Sequence, residues 1–398
     1  MCKAWDDKKK NLYLGQTISK RDDTEAETHV EDEPASENVP GGGPNRKDLG
    51  YVPGYQIGGG TGGKSMNQVQ GLAEYIRWKG YRESLGLPGK VTEEYRMLAQ
   101  GEYNRNYIFT HPVTGRKLIL RVNFGSQMHL EHQIEYEYRA LELLRDSGRT
   151  PKPLYVDGTK ENIPYGVMIM EYLPGHSLDY ERELFCAADC LVDIHSIPMG
   201  REPPLIRPDN PLKAILEECE EMFRKYEESP LGDREKKRKI RRMLERGWQK
   251  ADSLPEPAYR CCINTELNST NFLINGEGKK NYLVDWEKPV YGDPAQDLGH
   301  FLAPTTTFWK TDVILEREQM DKFVEVYTRR AEGRFDTQGL KERTRAYVPV
   351  TCLRGITWCA MAWVEYQQPD KAIFNESTFC KLEAYLSHGF LDRIAPEI

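Results

Sequence analysis

The sequence lacks the features that mark membrane-embedded, secreted and disulfide-built proteins. No apolar run in its 398 residues approaches the roughly 20 residues that a membrane-spanning helix needs. The first ten residues are charged and contain no apolar stretch, so no secretory signal is expected. Nine cysteines are present, but none are spaced as CxxC and several lie inside apolar runs. We therefore expect buried thiols in a reducing, cytoplasmic protein that does not act on a membrane.

An excess of positive charge is also missing. The formal net charge is -7 and the isoelectric point is near 5.8, which argues against nucleic acid as the main partner. The exception is a basic run over residues 234–242, which follows an acidic segment over residues 217–221. An apolar stripe through Ile240, Leu244 and Trp248 predicts a solvated helix face that pairs with its acidic neighbour, in preference to a nucleic-acid patch.

Composition and periodicity divide the chain into four segments. Residues 1–66 have few aliphatic side chains, many charges and a Gly-Pro run, which predicts a disordered acidic and glycine-rich tail. Residues 58–65, GGGTGGKS, match the phosphate-loop pattern GxxxxGK[ST], but they follow a segment broken by proline and glycine and precede hairpin-like strands, so a flexible linker is favoured. A helical lead-in is expected over residues 67–93, followed by an N-lobe over 94–172 and a C-lobe over 173–398.

The two lobes differ in their hydrophobic pattern. Apolar, β-branched and aromatic runs in the N-lobe predict five strands, over residues 95–99, 107–110, 117–123, 153–156 and 165–172. One amphipathic helix is predicted over residues 128–147 and stops at Gly148. After the Pro-Gly break that follows Tyr172, helices are predicted over residues 181–195, 211–228, 233–252, 317–332, 340–366 and 375–393. The fold class is therefore α+β, with a small antiparallel five-stranded N-lobe and a larger, mainly helical C-lobe.

Residues 260–297 carry the clearest chemistry. They read as a buried strand over 261–263, a polar loop that ends at Asn271, a turn through Gly276 and Gly278, and a second apolar strand that delivers Asp285. Two such strands joined by a glycine turn would bring Glu266, Asn271 and Asp285 to one end of a hairpin. Carboxylate and amide oxygens are ligands that Mg²⁺ accepts, so a magnesium site is predicted there.

Phosphoryl transfer from a nucleotide also needs a cation on the phosphates and a carboxylate that orients the attacking hydroxyl. Arg121, midway along the third strand, can present a guanidinium, and Glu137 on the following helix can pair with it. An ordinary surface ion pair is the alternative for these two residues. The turn between the first two strands contains Gly101 and Asn104 and can fold over phosphates through backbone N–H groups.

Residues 94–390 resemble the aminoglycoside phosphotransferase and choline kinase-like family, which has the bilobal protein-kinase-like fold. LAQGEYNRNYIF resembles the family's nucleotide-loop hairpin, LILRVN its phosphate-contacting strand and EYRALELL its paired helix. LVDIHSIP is similar to the helix end before the substrate-binding insert, and YLVDWEKPVYGDPAQDL to the metal-binding segment with its structural aspartate. The resemblance implies transfer of the γ-phosphate of ATP or GTP, with Mg²⁺, to a hydroxyl of a small molecule.

The resemblance also implies roles for individual residues. It places the nucleotide against Gly101, Asn104, Arg121, Glu137, Glu171 and Tyr172. It places the metal on Asn271 and Asp285, the catalytic carboxylate at Glu266, and structural support at Asn264 and Asp297.

The chain departs from the family at its catalytic loop. The family pattern is His-Gly-Asp-x-x-x-x-Asn, whereas residues 264–271 read NTELNSTN, so Asn264 stands for the histidine and Glu266 for the aspartate. Glutamate keeps the charge on a longer arm, and a displacement of about 1 Å can lower a rate on the order of a hundredfold. Asn264 can still donate a hydrogen bond to a neighbouring carbonyl. Two interpretations compete: an active small-molecule kinase, which the surviving metal ligands favour, and a nucleotide-binding pseudokinase or scaffold.

The sequence leaves the acceptor and the oligomeric state open. The acidic segment over residues 217–221 and Glu365 could receive a cationic substrate such as an aminoglycoside or an amino alcohol, although surface charge is the simpler interpretation. Trp309, Trp358 and Trp363 could frame a sugar or a cation, and the spacing of the last two is more typical of a helix core.

Overall fold

The computed structural model describes residues 69–101, 103–251, 254–368 and 375–396. All of these residues belong to one unit, Gly50–Ile398. The predicted tail over residues 1–66, including the GGGTGGKS stretch, lies outside the described residues.

A five-stranded antiparallel sheet forms the smaller lobe, as predicted. Its strands are β1 (Arg96–Gln100), β2 (Asn104–Thr110), β3 (Lys117–Asn123), β4 (Pro153–Asp157) and β5 (Gly166–Glu171). They lie in the spatial order β1-β2-β3-β5-β4, and each neighbouring pair is antiparallel. The alternation of side chains along β3 gives the sheet two faces: Leu118, Leu120 and Val122 pack on the outer side, while Ile119 packs toward the larger lobe.

Two short helices cover the outer face of this sheet, α1 (Leu72–Tyr75) and α2 (Lys79–Leu85). Their fully buried Tyr75 and Tyr81 join the same apolar cluster as Leu120. Arg82 is buried as well, and its Nη1 lies 2.8 Å from Oε1 of Glu93. This segment therefore packs as part of the core of the smaller lobe.

The helix of the smaller lobe is shorter than predicted. Helix α3 spans Gln133–Leu143, and a 3-10 turn at Arg145–Ser147 follows it. Residues 128–132 are not helical, because Ser126 Oγ accepts hydrogen bonds from the backbone N–H groups of Met128 and Leu130 and His129 adopts a φ of 57°. Gly148, with a φ of 62°, ends the segment as expected.

The larger lobe is mainly helical, as predicted. Its helices are α4 (Leu184–His195), α5 (Pro211–Glu228), α6 (Arg234–Ala251), α7 (Pro294–Leu302), α8 (Pro304–Thr311), α9 (Arg317–Ala331), α10 (Leu340–Tyr366), α11 (Glu376–Tyr385) and α12 (His388–Ile394). The long helix α10 is central and packs against α5, α6, α7, α8, α9 and α11. No helix among the described residues is long and apolar enough to cross a membrane.

Two expectations about these helices were wrong. The sequence predicted one helix over residues 375–393, but α11 ends at Tyr385 and α12 begins anew, with Ser387 Oγ accepting from the N–H of Phe390 as its N-cap. Helices α7 and α8 were not predicted. Each begins with a proline in its first turn, and Asp293 caps α7 by accepting from the N–H of Ala295.

The strands of residues 260–297 are nested. Strand β6 (Cys261–Ile263) pairs with β9 (Val290–Gly292), and inside this pair lies a hairpin of β7 (Phe272–Leu273) and β8 (Tyr282–Leu283). The prediction that residues 261–263 form a hairpin with the strand before Asp285 was therefore wrong, since β7 occupies that position. The glycine turn itself is present, with φ of 120° at Gly276 and 67° at Gly278.

Candidate active site

A narrow cleft lies between the inner face of the sheet and the larger lobe. It encloses about 50 Å³ and is lined by side chains of both lobes, among them Arg121, Glu137, Glu171, Tyr172 and Asp285. Glu171 ends β5, and Tyr172 follows it in the connection to the larger lobe, where its N–H donates to the carbonyl of Lys117 over 3.3 Å. The structure thus brings four of the six predicted nucleotide residues to the lining of one cleft.

Arg121 is the cation of this cleft. Its side chain is buried on β3, where Nη1 contacts Oε1 of Glu137 and Nε donates to Oδ1 of Asn106 over 3.0 Å. Burial raises the pKa of Glu137, and the charge of Arg121 opposes that shift only partly. Oε2 of Glu137 is buried, and no atom in the described part of the chain hydrogen-bonds to it. The pair is therefore a buried element of the cleft, unlike an ordinary surface ion pair.

Gly101 and Asn104, at the turn between β1 and β2, are not among the described residues that line the cleft. The N–H of Gly101 donates to the carbonyl of Asn104 over 2.8 Å, which closes the turn. The Asn104 side chain is buried, accepts from Nδ2 of Asn123 over 2.9 Å and donates to Oε1 of Glu287. Asn104 therefore connects the sheet to the segment that carries Asp285.

The loop over residues 264–271, here called the base loop, is held by Asp297. One carboxylate oxygen of Asp297 accepts from the N–H of Asn264 over 2.9 Å and the other from the N–H of Thr265 over 2.7 Å. Thr265 has a φ of 72°, a conformation that costs a non-glycine residue of order 1–3 kcal/mol. His195, at the end of α4, is hydrogen-bonded through Nε2 to Oδ2 of Asp297 and through Nδ1 to the hydroxyl of Tyr327. These contacts also help to hold the carboxylate of Asp297 in place. Asp297 thus keeps a strained loop in place.

The carboxylate of Glu266, on this loop, contacts two cations of the larger lobe. Nζ of Lys288 lies 2.7 Å from Oε1 of Glu266, and Nη2 of Arg354 lies 3.7 Å from the same oxygen. Burial alone would raise the pKa of Glu266, but the charges of Lys288 and Arg354 outweigh burial and hold the pKa below the ordinary glutamate value. The side chain keeps 36% of its surface exposed, so an ionised carboxylate remains accessible.

Asp285 has the opposite environment. Its backbone is in the left-handed region, with a φ of 67°, and its carbonyl accepts from Nδ2 of Asn264 over 2.7 Å. Although 30% of the side chain is exposed, Oδ1 is buried, finds no hydrogen-bond partner among the described residues and lies 3.7 Å from Nη2 of Arg121. Burial and the nearby charge of Glu287 raise the pKa of Asp285 well above its ordinary value, against the effect of Arg121.

The oxygens around Asp285 fit a magnesium ion that is shared with phosphates. Asn271 is buried at the end of the 3-10 turn Ser269–Asn271, directly before β7, and the structure gives its side-chain amide no hydrogen bond within the described residues. Across the described ranges, no group of three or more acidic, histidine or cysteine side chains is arranged to hold a metal by itself. Mg²⁺ is commonly bound through one or two carboxylates together with substrate phosphates and water, so a set built on Asp285 and Asn271 suits that ion.

A second, wider pocket is lined in part by Glu266, and we call it the acceptor pocket. It encloses about 370 Å³. Trp309 of α8 and Trp358 of α10 line it, with ring centroids 5.4 Å apart and ring planes at 88°. Trp358 is 39% exposed, so the expectation that it belongs to the helix core was wrong. Trp363 packs edge-on against Tyr226 and does not line the pocket.

Three of the acidic residues that were expected to attract a cation, Glu218, Glu220 and Glu365, are already paired. Nε of Arg354 lies 2.8 Å from Oε2 of Glu218, and Nζ of Lys225 lies 3.5 Å from Oε1 of Glu365. Nη1 of Arg241, on the basic helix, lies 2.6 Å from Oε2 of Glu220. The pairing of the acidic helix α5 with the basic helix α6 is therefore confirmed.

Several residues of the two pockets were missed from the sequence. Glu287 lies two positions after Asp285 in the DWE segment, and that proximity could have identified it. The cations that contact Glu266 come from distant segments, Lys288 from the approach to β9 and Arg354 from α10, and no local pattern marks them. Asn106 and His300 are likewise visible only in three dimensions.

Comparison with known proteins agrees with this geometry. No curated protein sequence matches the chain significantly. A spectinomycin phosphotransferase crystallised with ADP and spectinomycin matches at a TM-score of 0.54 and 12% identity, covering 79% of this chain and 95% of that one. The Plasmodium vivax ethanolamine kinase matches at 0.54 and 15% identity, with 89% and 99% covered, and the Cryptosporidium parvum choline kinase at 0.54 and 14%, with 81% and 95% covered.

At these identities the structural matches establish the bilobal kinase-like fold alone. The model of the phosphotransferase enzyme family matches residues 94–343, which is more than half of the chain. The chain therefore belongs to the phosphotransferase enzyme family.

Proposed function

We propose that this protein transfers the γ-phosphate of ATP or GTP, with Mg²⁺, to a hydroxyl group of a small molecule. One observation carries the proposal: two carboxylates with opposite electrostatic environments, Asp285 and Glu266, each line one of the two pockets. Asp285 shares its counter-charge, Arg121, with two other carboxylates, whereas Glu266 is held ionised by Lys288 and Arg354. Such a division suits one group that binds a metal and one that accepts a proton.

In this proposal the N-lobe over residues 94–172 binds the nucleotide, and the C-lobe from residue 173 carries the base loop and the acceptor pocket. Glu171 and Tyr172 border the end of the cleft where the lobes join, which suits the base of the nucleotide. Arg121 directs its guanidinium to the phosphates, with Glu137 and Asn106 fixing its orientation. Gly101 and Asn104 close the sheet turn above the phosphates.

Asp285 and Asn271 would hold Mg²⁺, which neutralises charge on the β- and γ-phosphates when it is bound. Asn264 fixes the backbone of Asp285 through its hydrogen bond to the carbonyl. Asp297 keeps Asn264 and Thr265 in the conformation that allows this contact.

Glu266 orients the acceptor and receives its proton. The acceptor oxygen forms a bond to the γ-phosphorus while the bond from that phosphorus to the β–γ bridging oxygen breaks, and the nucleoside diphosphate leaves. The hydroxyl proton passes to the carboxylate of Glu266, which Lys288 and Arg354 keep ionised beforehand. The longer arm of glutamate is steadied by these two cations, which supports an active enzyme over the pseudokinase alternative.

The first test is nucleotide binding followed by transfer. We expect Mg²⁺ with ATP or GTP to raise the Tm of the purified protein, and the labelled γ-phosphate to appear on a member of a broad panel of hydroxyl compounds. A Glu266→Ala variant should keep the Tm shift and lose transfer by about a hundredfold or more.

The result separates the two interpretations. Nucleotide binding without transfer to any acceptor would support the pseudokinase interpretation. If Glu266→Ala turned over as fast as the wild type, Glu266 would have no place in the mechanism. Glu142→Ala, which removes an exposed glutamate on α3, serves as the control and should change neither measurement.

A further inference from the structure

The acceptor pocket of this chain contains cations whose charge is not fully neutralised by neighbouring carboxylates. Its charged lining residues, among those the structure describes, are Glu218, Glu266, Arg354 and Lys310, and Lys288 adds a further positive charge behind Glu266. The lining itself carries two cations and two carboxylates, and Lys288, which pairs with Glu266 from outside the lining, brings the group to three cations and two carboxylates. The pocket has an excess of positive charge, in contrast to the acidic net charge of the whole chain.

The excess positive charge comes from Lys310. It lies in the last turn of α8 beside Trp309, its side chain is exposed, and it makes no hydrogen bond or ion pair with the described residues. A lysine near a helix C-terminus is favoured by the helix dipole, which is the simplest structural reason for its presence. Its position on the wall of the pocket gives it access to a bound molecule as well.

One nitrogen of the Arg354 guanidinium, Nη1, remains available to donate a hydrogen bond. Its Nε and Nη2 are used for Glu218, at 2.8 and 3.3 Å, and Nη2 also lies near Glu266. The described residues provide no hydrogen-bond partner for Nη1. Because a guanidinium can bind two carboxylates at different edges, Arg354 can keep Glu218 and still bind an anion in the pocket.

His300, which also lines the pocket, adds no charge. Burial and the positive charge of Arg354 lower the pKa of His300 to about 4, so its imidazole is neutral at neutral pH. Arg354 pairs with Glu218 and Lys288 pairs with Glu266, so a cationic acceptor would meet the charge of Lys310 and no unpaired carboxylate among the described lining residues. A like charge disfavours such a ligand, and an anionic group relieves the imbalance.

We propose that the acceptor is a hydroxylated molecule bearing an acidic group, a carboxylate or a phosphate, which Lys310 and Arg354 bind while Glu266 engages the hydroxyl. The Trp309–Trp358 pair provides the apolar wall on which the body of the molecule packs. This inference rests on the proposed phosphotransfer at the same site, and it replaces the cationic acceptor expected from the acidic helix.

The test compares acceptors that share one carbon skeleton. The three-carbon set is glycerate, glycerol 3-phosphate, glycerol and 3-amino-1,2-propanediol, and the six-carbon set is gluconate, sorbitol and glucosamine. Binding is measured by calorimetry without nucleotide, and transfer is measured separately with Mg²⁺ and ATP. We expect an acid to bind about tenfold or more tighter than its neutral counterpart, and the amine to bind weakest. The carboxylate and phosphate arms show which acidic group is preferred.

Variants link the preference to Lys310. Lys310→Met, which keeps the length and removes the charge, should reduce the preference for the acid about tenfold, and Lys310→Arg should restore it. Lys322→Met, at an exposed lysine of α9 outside the pocket, is the matched control and should leave the preference unchanged.

The outcomes separate this inference from the proposed function. Acid binding that depends on Lys310 but gives no transfer would support the inference and count against phosphotransfer. Transfer to the amine or polyol in preference to the acid would support phosphotransfer and overturn the inference. Failure of every acid to bind, or an acid preference that Lys310→Met leaves unchanged, would overturn it as well.

Discussion

The two sides of the candidate site, the cleft side and the acceptor side, differ in how well cations balance their carboxylates. On the cleft side, three carboxylates, those of Glu137, Asp285 and Glu287, share the cation Arg121, and the described residues give them no other ion pair. On the acceptor side, Glu266 contacts two cations, Lys288 and Arg354, the second of which it shares with Glu218. Carboxylates are therefore short of positive charge on the cleft side and well supplied with it on the acceptor side.

This difference indicates what each side lacks. A protein interior that contains unbalanced carboxylates is less stable than one without them, unless a cation binds there in the functional state. The cleft side has such a deficit, and no described residue hydrogen-bonds to the buried oxygen Oδ1 of Asp285. The acceptor side has no deficit of this kind, so its carboxylate is available for a proton.

The largest expected effect comes from Asp285→Asn. Loss of this carboxylate should remove the Tm increase caused by Mg²⁺ and nucleotide and lower transfer about a thousandfold. Without ligand, the same variant should be no less stable than the wild type, with an increase in Tm of about 2 °C, because repulsion with Glu287 is removed. Thermal unfolding with and without Mg²⁺ and ATP checks both parts.

Asp146→Asn is the matched control for this variant, since Asp146 is exposed and makes no ion pair with the described residues. It should change neither the Tm nor turnover. A marked loss of stability in ligand-free Asp285→Asn would show that Asp285 is a structural group, and the contrast between the two sides would then lose its functional meaning.

A smaller effect is expected for Lys288→Met. Lys288 helps to hold the pKa of Glu266 below its ordinary value, so Glu266 is ionised in the wild type at any pH above that lowered pKa. Removal of Lys288 should raise the pKa of Glu266, and the fall of kcat/KM on acidification should begin at a higher pH. We expect a loss of about tenfold near pH 5 and a smaller loss near pH 8.

The pH profile of kcat/KM distinguishes this role from a structural one. A uniform loss at every pH would mean that Lys288 positions the loop without tuning Glu266. Lys288→Arg keeps the charge and should keep the acid limb close to that of the wild type, whereas Lys279→Met, in the glycine turn of the hairpin, should leave the profile unchanged.

The sequence could predict the fold and one side of this comparison much better than the other. The alternating strands and the long amphipathic helices follow from local periodicity, so the sheet around Arg121 and helices such as α10 were identified with nearly their observed bounds. Arg121, Glu137 and Asp285 were found because they stand within recognisable local segments. Short strands such as β7 and β9 have too few residues to show a period, which explains the wrong pairing of β6.

The acceptor side depends on contacts between residues far apart in the chain. Glu266 and Arg354 lie 88 positions apart in the chain, and only the packing of α10 in the larger lobe brings their side chains to 3.7 Å. Charge pairing of this kind cannot be deduced from composition, and the run of glutamates on α5 therefore suggested a cationic ligand although Glu218 is already occupied by Arg354. The sign of the pocket's charge is a tertiary property.

The smallest effect is expected at Asn264, the one described side chain that hydrogen-bonds to the backbone of both Asp285 and Glu266. Its Nδ2 donates to the carbonyl of Asp285 and its Oδ1 accepts from the N–H of Glu266. Asn264→Ala should lower the free energy of unfolding by about 1–3 kcal/mol, as expected for loss of buried hydrogen bonds. Because the charges of both sides remain in place, transfer should fall only severalfold.

Asn281→Ala makes the comparison at Asn264 specific. Asn281 is equally buried, and its side chain also makes two hydrogen bonds to the backbone, to the N–H of Asn275 and the carbonyl of Gly276, but within the hairpin turn. Both variants should lose similar stability in chemical denaturation, while only Asn264→Ala should weaken Mg²⁺ binding and transfer together. Equal kinetic losses in the two variants would show that the cleft side and the acceptor side respond to general loosening of the lobe. A loss confined to Asn264→Ala would instead show that this side chain couples the metal-binding carboxylate to the base.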